Sequence, residues 1–354
     1  MKIVKYVLAA IGVLILVFGA FGVWAYSVMG GFRTVEAEFG GTCTAVTGPG
    51  SAEDLLIDRD KARVYISALD RLGGATGERA EDEGGTIATY DLSGNAATFR
   101  EGQAPGPKMN PHGISLYKDG NGLERLFVLN HVPGGGEAVE IFDIDADGVL
   151  SHVKTVTGPE LVSPNNIAAV GPDEFYVAND LPGSAVTMDM LFGAGDAVMA
   201  HYKNGTMRAV LTGLGSGGGI AASADGSQIY LALTARKEVA VYDRDPATGD
   251  LTYRASAFTD MGVDNIDVAP DGALWVAGHP TFIGLIQHFA SGGEQPSPSQ
   301  VTRIPMVDGD PGEPELIYRD TGEEISASSV AAVDGNTLLI GGITPKKFLR
   351  CTLP

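Results

Sequence analysis

Three doublets of oxygen-bearing residues stand far apart in this chain: Glu53 with Asp54, Asn165 with Asn166, and Asp264 with Asn265. Acids mixed with carboxamides suit a hard divalent cation such as calcium, which takes about six to eight oxygens and tolerates few charged ones before they repel. Between the first two doublets lie His112 and His131. Histidine titrates near neutral pH, so a histidine beside such a site can take a proton from water. Taken singly, each Asn or Asp is more often a turn or cap residue. A lone histidine is more often structural, and His152, His201 and His288 are read that way.

What could bring the doublets together is a repeat. One pattern recurs six times, beginning EDLLID at Glu53, HGISLY at His112, NNIAAV at Asn165, GGIAAS at Gly218, DNIDVA at Asp264 and SSVAAV at Ser328. Each copy is followed by a turn and a returning β-rich run: RVYIS, RLFVLN, EFYVAN, QIYLAL, ALWVAG and TLLIGG. Asp119-Gly120, Asp225-Gly226 and Asp271-Gly272 mark hairpin tips. Starts 46 to 64 residues apart leave room for four strands per unit, the size of a propeller blade. With 49 Gly and 19 Pro against 13 Phe, 11 Tyr and 2 Trp, many short strands are expected. The expected fold is all-β, a six-bladed β-propeller spanning 33–354, with an open β-sandwich as the alternative.

Innermost propeller strands surround a central channel, so equivalent repeat positions form rings. The first ring is Glu53, His112, Asn165, Gly218, Asp264 and Ser328; the second is Asp54, Gly113, Asn166, Gly219, Asn265 and Ser329. His112 opens an inner strand and His131 ends the returning one. Antiparallel pairing therefore places both at the same end, beside the ring. His279, after the fifth returning strand, falls on the same rim and is read as substrate-lining.

The remaining features concern compartment and partners. A net charge of −20 makes nucleic acid an unfavourable partner, because phosphates would be repelled at long range. From Tyr6 to Met29 the chain is apolar or small and uncharged, preceded by Lys2 and Lys5. The segment is long enough to span a bilayer, and the lysines place the N-terminus in the cytoplasm. A single-pass anchor over 1–32 is expected, with the globular part on the non-cytoplasmic side; a cleaved signal peptide is the competing reading. Of the two cysteines, Cys43 follows the anchor and Cys351 is near the C-terminus. An exported chain meets oxidising conditions in which they could bridge, and two free buried thiols are the other option.

The segments AEDLLI, MNPHGIS, NNIAAVGPDEFYVAND and VDNIDVAPDGALWVAGHP together resemble the paraoxonase/arylesterase family, from Cys43 to Cys351. The resemblance implies a six-bladed propeller with two calcium ions and a Cys43–Cys351 disulfide. It implies a catalytic calcium held by Glu53, Asn165, Asp264 and Asn265, and a structural one held by Asp54, Asn166 and the Ile114 carbonyl. A His112–His131 pair activating water is also implied, and Asp180, in the AND sequence, could orient it. Two positions depart from the family's pattern: Gly218 stands where another asparagine ligand is expected, and Asn166 where an aspartate is. Water or a nearby group such as Ser216 is expected to fill the place left by Gly218.

The implied activity is calcium-dependent hydrolysis of lactones and aryl or carboxylic esters, with phosphotriesters as side substrates. The substrate carbonyl would be polarised by the metal and attacked by His-activated water. The alternatives are a gluconolactonase-type hydrolase of sugar lactones, or a non-catalytic anchored propeller that binds a protein partner. Leu181–Tyr202, strongly apolar with Met188, Met190, Leu191, Phe192, Val198 and Met199, is read as a lid, a second membrane contact, or an ordinary blade element. Gly293–Pro314 is expected to be an exposed connection, and Asn204-Gly-Thr fits the N-glycosylation pattern.

Overall fold

Each repeat forms a four-stranded antiparallel sheet in the computed structural model, which describes residues 2–80, 83–94, 99–101, 106–181, 184–193 and 195–354. The innermost strands are Ser51–Asp58, Pro111–Lys118, Pro164–Gly171, Gly217–Ala222, Gly262–Val268 and Ser328–Asp334. Each touches the next, and the last touches the first, so the six sheets close a ring around a channel. The chain is a six-bladed propeller. The hairpins expected from the sequence are present, including Glu124–His131 paired to Pro111–Lys118 and Leu274–His279 paired to Gly262–Val268.

Blade six is closed by both ends of the propeller chain. Thr42–Thr47 pairs with Lys347–Thr352 in a register that sets Cys43 opposite Cys351, and the two form a disulfide. The bridge spans 308 residues, so in the chain-entropy view it removes on the order of 5 kcal/mol of unfolded-state freedom. The core lies between neighbouring blades rather than at one centre. Tyr65, Leu126 and Phe142 are buried between blades one and two; Phe127, Phe175 and Tyr202 between blades two and three. Each such side chain contributes roughly 2–3 kcal/mol by leaving water, so adjacent blades hold each other in place and fix the ring.

One irregularity recurs in all six blades. The inner hairpins slip by one residue between Ala52 and Asp54, Pro111 and Ile114, Pro164 and Asn166, Gly217 and Ile220, Val263 and Ile266, and Ser328 and Val330. Both rings fall on or beside these bulges. In a regular strand Glu53 and Asp54 would point to opposite faces. A bulge inserts one extra residue and re-aims the side chain, so both members of a doublet reach the channel.

Among the described residues four helices lie outside the blades: α1 (Lys2–Val28), α2 (Arg71–Thr76), α3 (Ser184–Phe192) and α4 (Phe282–Ala290). α1 is apolar over Ile3–Val28 and long enough to cross a membrane or serve as a signal sequence. Its end is tied to the propeller: Phe21 and Trp24 stack near Phe192 of α3, and the Ile283 amide of α4 donates to the Met29 carbonyl at 3.0 Å.

Leu181–Tyr202 divides into α3 and the blade-three strand Ala197–Lys203, with positions 182, 183 and 194 outside the described residues. The expectation of a wholly exposed connection at Gly293–Pro314 is corrected. Ser299–Ile304 is the third strand of blade five, where Val301 and Ile304 are fully buried, and Met306–Val307 pairs with Asp310–Pro311. The prolines there start the strand instead of preventing it. Asn204-Gly205 is a two-residue hairpin turn with φ of 49° and 91°, positive at both positions as such turns require.

Candidate functional site

At the end of the channel below α3 and α4, the first ring opens into a cavity of about 470 Å³ lined by Glu53, His112, His131, Asn165, Asp264 and His279, among others. The doublets meet there across more than two hundred residues of sequence. Asn265 donates through Nδ2 to the Glu53 carbonyl and to Glu53 Oε1, both at 3.0 Å, and Ser329 donates to the same carbonyl at 2.6 Å. Asn166 Nδ2 donates to Asn265 Oδ1 at 2.6 Å and to Asp54 Oδ2 at 3.3 Å. The amides of the second ring thus bind the acids of both rings into one layer.

The acids in this layer are buried and face one another. Glu53, Asp54 and Asp264 are 2%, 5% and 8% exposed. Burial pushes Glu53 up, but His112, Arg71 and Asn265 more than reverse this and hold its carboxyl at about 2. Asp54 is raised well above the usual carboxylate range by burial and by the charge on Glu53. Asp264 is raised by burial, with His279 opposing and Glu53 adding to the shift. Two oxygens in the layer, Glu53 Oε2 and Asn165 Oδ1, are buried with no hydrogen-bond partner. Such groups are costly unless something satisfies them. All the donors are carboxylate or carboxamide oxygens, so the set fits a hard divalent cation. Among the described residues no group of three or more His, Cys, Asp or Glu side chains forms a metal site by itself; the set is mixed.

The residues assigned to a second ion are drawn together differently. Asp54 Oδ2 accepts from the Ile114 amide at 2.8 Å as well as from Asn166, whose own Oδ1 accepts from the Ile167 amide at 2.6 Å. With asparagine at 166, a neutral donor lies where a second acid would add negative charge. The place left by Gly218 is taken by Thr234: a Cβ on Gly218 would come within 2.9 Å of the Thr234 hydroxyl, which donates to the Val263 carbonyl at 2.8 Å. Ser216, expected there from the sequence, lies instead beneath α3, its amide bound to Asp189 Oδ2 at 2.6 Å.

His112 Nδ1 and His131 Nε2 are 2.9 Å apart, and His131 Nδ1 lies 2.6 Å from Glu137 Oε2. A carboxylate can only accept, so His131 donates through Nδ1 and its Nε2 is left to accept from His112. With His112 neutral, the relay leaves a lone pair on its Nε2, which lies 3.4 Å from Glu53 Oε2 at the cavity floor; with His112 protonated, that Nε2–H faces the acid and holds its carboxyl low. The carboxylate that orients the pair is therefore Glu137. Asp180 also lines the cavity, but its Oδ1 accepts from the Leu181 amide at 2.7 Å, and burial pushes its carboxyl up to about 6. His279 is buried, with Nε2 3.4 Å from Asp264 Oδ2.

Glu137 was within reach of sequence reasoning. It follows the Pro-Gly-Gly-Gly turn after His131, and the hairpin register sets it directly opposite that histidine. Arg71, Arg79 and Thr234 carried no repeat signal. His152, His201 and His288 lie outside the cavity and bind Glu140, Glu174, and Thr344 with the Gln295 carbonyl, respectively.

A family model described as arylesterase matches residues 61–353. Serum paraoxonase/arylesterase 1 of Rattus norvegicus is 31% identical over 323 residues, covering 88% of this chain and 89% of that one. The Homo sapiens protein of the same name is 33% identical over 279 residues, covering 76% and 77%. Among solved structures, a gluconolactonase from Xanthomonas campestris superposes with a TM-score of 0.53 at 16% identity, covering 90% of this chain and 91% of that one. At that identity the likeness is one of fold.

Proposed function

This chain belongs to the arylesterase family, and from that premise we propose that it is a membrane-anchored, calcium-dependent hydrolase of lactones and of aryl or carboxylic esters. The observation that carries the reading is the Glu137–His131–His112 relay, whose terminal lone pair meets an unsatisfied acid oxygen at the floor of a cavity. A general base next to a hard-cation donor set is the equipment for hydrolysing a carbonyl ester with water.

Glu53, Asn165, Asp264 and Asn265 would hold the catalytic calcium, which when bound would supply Lewis acidity toward the substrate carbonyl oxygen. Asp54, Asn166 and Ile114 would hold the second, structural ion. His112 takes the proton of the attacking water at Nε2 and returns it to the leaving alkoxide. Glu137 and His131 are positioning residues that fix the tautomer and accommodate the imidazolium charge. His279, beside Asp264, keeps that carboxylate turned to the ring. Substrate enters between α3 and α4, where Val186, Met190, Leu285 and Phe289 line the cavity. This apolar wall suits acyl and aryl groups better than polyhydroxylated sugar lactones.

An apolar N-terminal helix and a disulfide fit a secreted or membrane-anchored protein. The packing of Phe21 and Trp24 on Phe192 supports a retained anchor, which would set the mouth of the cavity at the bilayer surface. The function is tested by assaying the detergent-solubilised full chain on phenyl acetate, an aliphatic δ-lactone and gluconolactone. Hydrolysis of the first two, abolished by chelator and restored by calcium, is expected. Activity indifferent to chelator rejects the metal, and no hydrolysis of any ester or lactone rejects the reading.

A further inference from the structure

One side of the cavity is built from two guanidinium groups that the hydrolytic relay does not use. Arg71, at the start of α2, donates through Nη2 to the Pro111 carbonyl at 2.6 Å and through Nη1 to Ser51 Oγ at 3.3 Å. Arg79 donates through Nε to the Asp70 carbonyl at 3.0 Å and through Nη1 to Asn110 Oδ1 at 3.1 Å. Both are braced against Asn110–Pro111, immediately before His112, and both line the cavity.

Among the described residues neither group hydrogen-bonds a carboxylate. Arg71 Nη2 is 3.7 Å from Glu53 Oε2, beyond hydrogen-bond distance, with a side chain only 12% exposed. Among the described residues no carboxylate lies within ion-pair distance of Arg79. In a chain of net charge −20, two neighbouring cationic groups, one loosely paired with Glu53 and the other with no acid in ion-pair distance among the described residues, are a local inversion of sign. A divalent cation on Glu53 and Asp264 would cancel the nearby acids and leave this wall positive. In a recessed cavity such a field attracts an anion.

We propose that the cavity selects esters or lactones bearing a free carboxylate, which Arg71 and Arg79 hold on the His112 side while the apolar part of the substrate lies against α3 and α4. Among the described residues Arg79 keeps its Nη2 group free of protein acceptors and Arg71 its Nε, so each can give a charge-assisted bond to a carboxylate, with an attraction that a neutral group cannot reproduce. The substrate is then amphipathic, anionic at one end and apolar at the other, as the two walls of the cavity are. The inference rests on the hydrolase reading and narrows its substrate class.

The test uses the calcium-loaded full chain in detergent and two esters that release the same leaving group, mono(4-nitrophenyl) glutarate and its methyl-capped neutral counterpart. The wild type should favour the anionic ester about tenfold or more in kcat/KM, and the preference should shrink as salt is raised. In Arg79→Gln the preference should fall about tenfold, with Arg79→Lys recovering part of it. A wild type that cleaves the neutral ester equally well or better, or a preference unchanged in Arg79→Gln, overturns the proposal and leaves the hydrolase reading standing. If neither ester is cleaved by folded, calcium-loaded protein, the hydrolase reading fails, and calorimetric titration with glutarate then decides the arginine wall. Binding that weakens in Arg79→Gln keeps it as a carboxylate site; binding that is absent or unchanged overturns it.

Discussion

The two mouths of the propeller channel are both rich in acids, yet they are finished in opposite ways. At the mouth away from the helices, Asp58 receives Lys118 Nζ at 2.5 Å and Asp267 receives Arg59 Nη2 at 2.5 Å, with the Val333 amide also donating to Asp267. At the helix-covered mouth, Glu53 and Asn165 keep buried oxygens without a hydrogen-bond partner, histidines stand against the acids, and the nearest fixed cation, Arg71, stays 3.7 Å from Glu53. An acid closed by a fixed cation is structural. Asp58 too keeps one oxygen, Oδ2, without a partner, but its other oxygen is closed by Lys118; among the described residues Glu53 has no cation in hydrogen-bond contact, and an acid left open in that way has room for an exchangeable partner.

The sharpest way to break this comparison is to remove the base at the helix-covered mouth. His112→Gln should lower ester or lactone hydrolysis by about 10² or more with fold and bound calcium retained, the loss expected for a general base. Glu137→Gln should cost about tenfold and alter the pH profile, since it acts through His131. Steady-state kinetics with metal analysis check both, and near-wild-type activity in the two variants would mean that the base lies elsewhere.

The opposite mouth should respond in stability and not in turnover. Arg59→Met leaves Asp267 buried without its cation and should cost about 2–3 kcal/mol in urea unfolding, because a broken buried pair strands the remaining charge. Its kcat/KM should stay within about twofold of wild type. A large activity loss with unchanged stability would show that both mouths serve catalysis.

A smaller effect concerns Asp180, an acid of the helix-covered mouth that no Lys or Arg among the described residues closes. Burial pushes it from 3.8 to about 6, so between these values the folded state holds a proton that the unfolded state has released. Its contribution to stability therefore falls as pH rises through this window, and the cost is complete above about 6. In calcium-free protein, Asp180→Asn should be more stable than wild type at pH 7 by on the order of 2 kcal/mol and nearly equal to it at pH 4. Urea titrations at the two pH values measure this, and parallel curves would count against it.

The smallest expected change comes from Asn166→Asp. Exchanging an amide donor for an acid beside Asp54 adds charge to the second ion's donor set and should tighten calcium binding there severalfold, read by calorimetry of apo-protein. Weaker binding in a folded variant would show that Asn166 serves only as a hydrogen-bond donor.

Much of this molecule was legible before its structure. The repeat starting at Glu53, His112, Asn165, Gly218, Asp264 and Ser328 determined the blade count and the ring, because side-chain period and turn chemistry are local and leave a regular trace. The position of His131 at the end of its returning strand followed from hairpin pairing, and Glu137 could have been found the same way. Tertiary structure decided the rest. Six bulges turn both members of each doublet toward the channel, where simple alternation would have hidden one. Thr234 rather than Ser216 fills the space at Gly218, Arg71 and Arg79 form a cationic wall, and Phe192 meets Phe21 and Trp24. These contacts join residues with no shared period, and which side chain fills a gap is set by close packing in three dimensions, a property that no local pattern encodes.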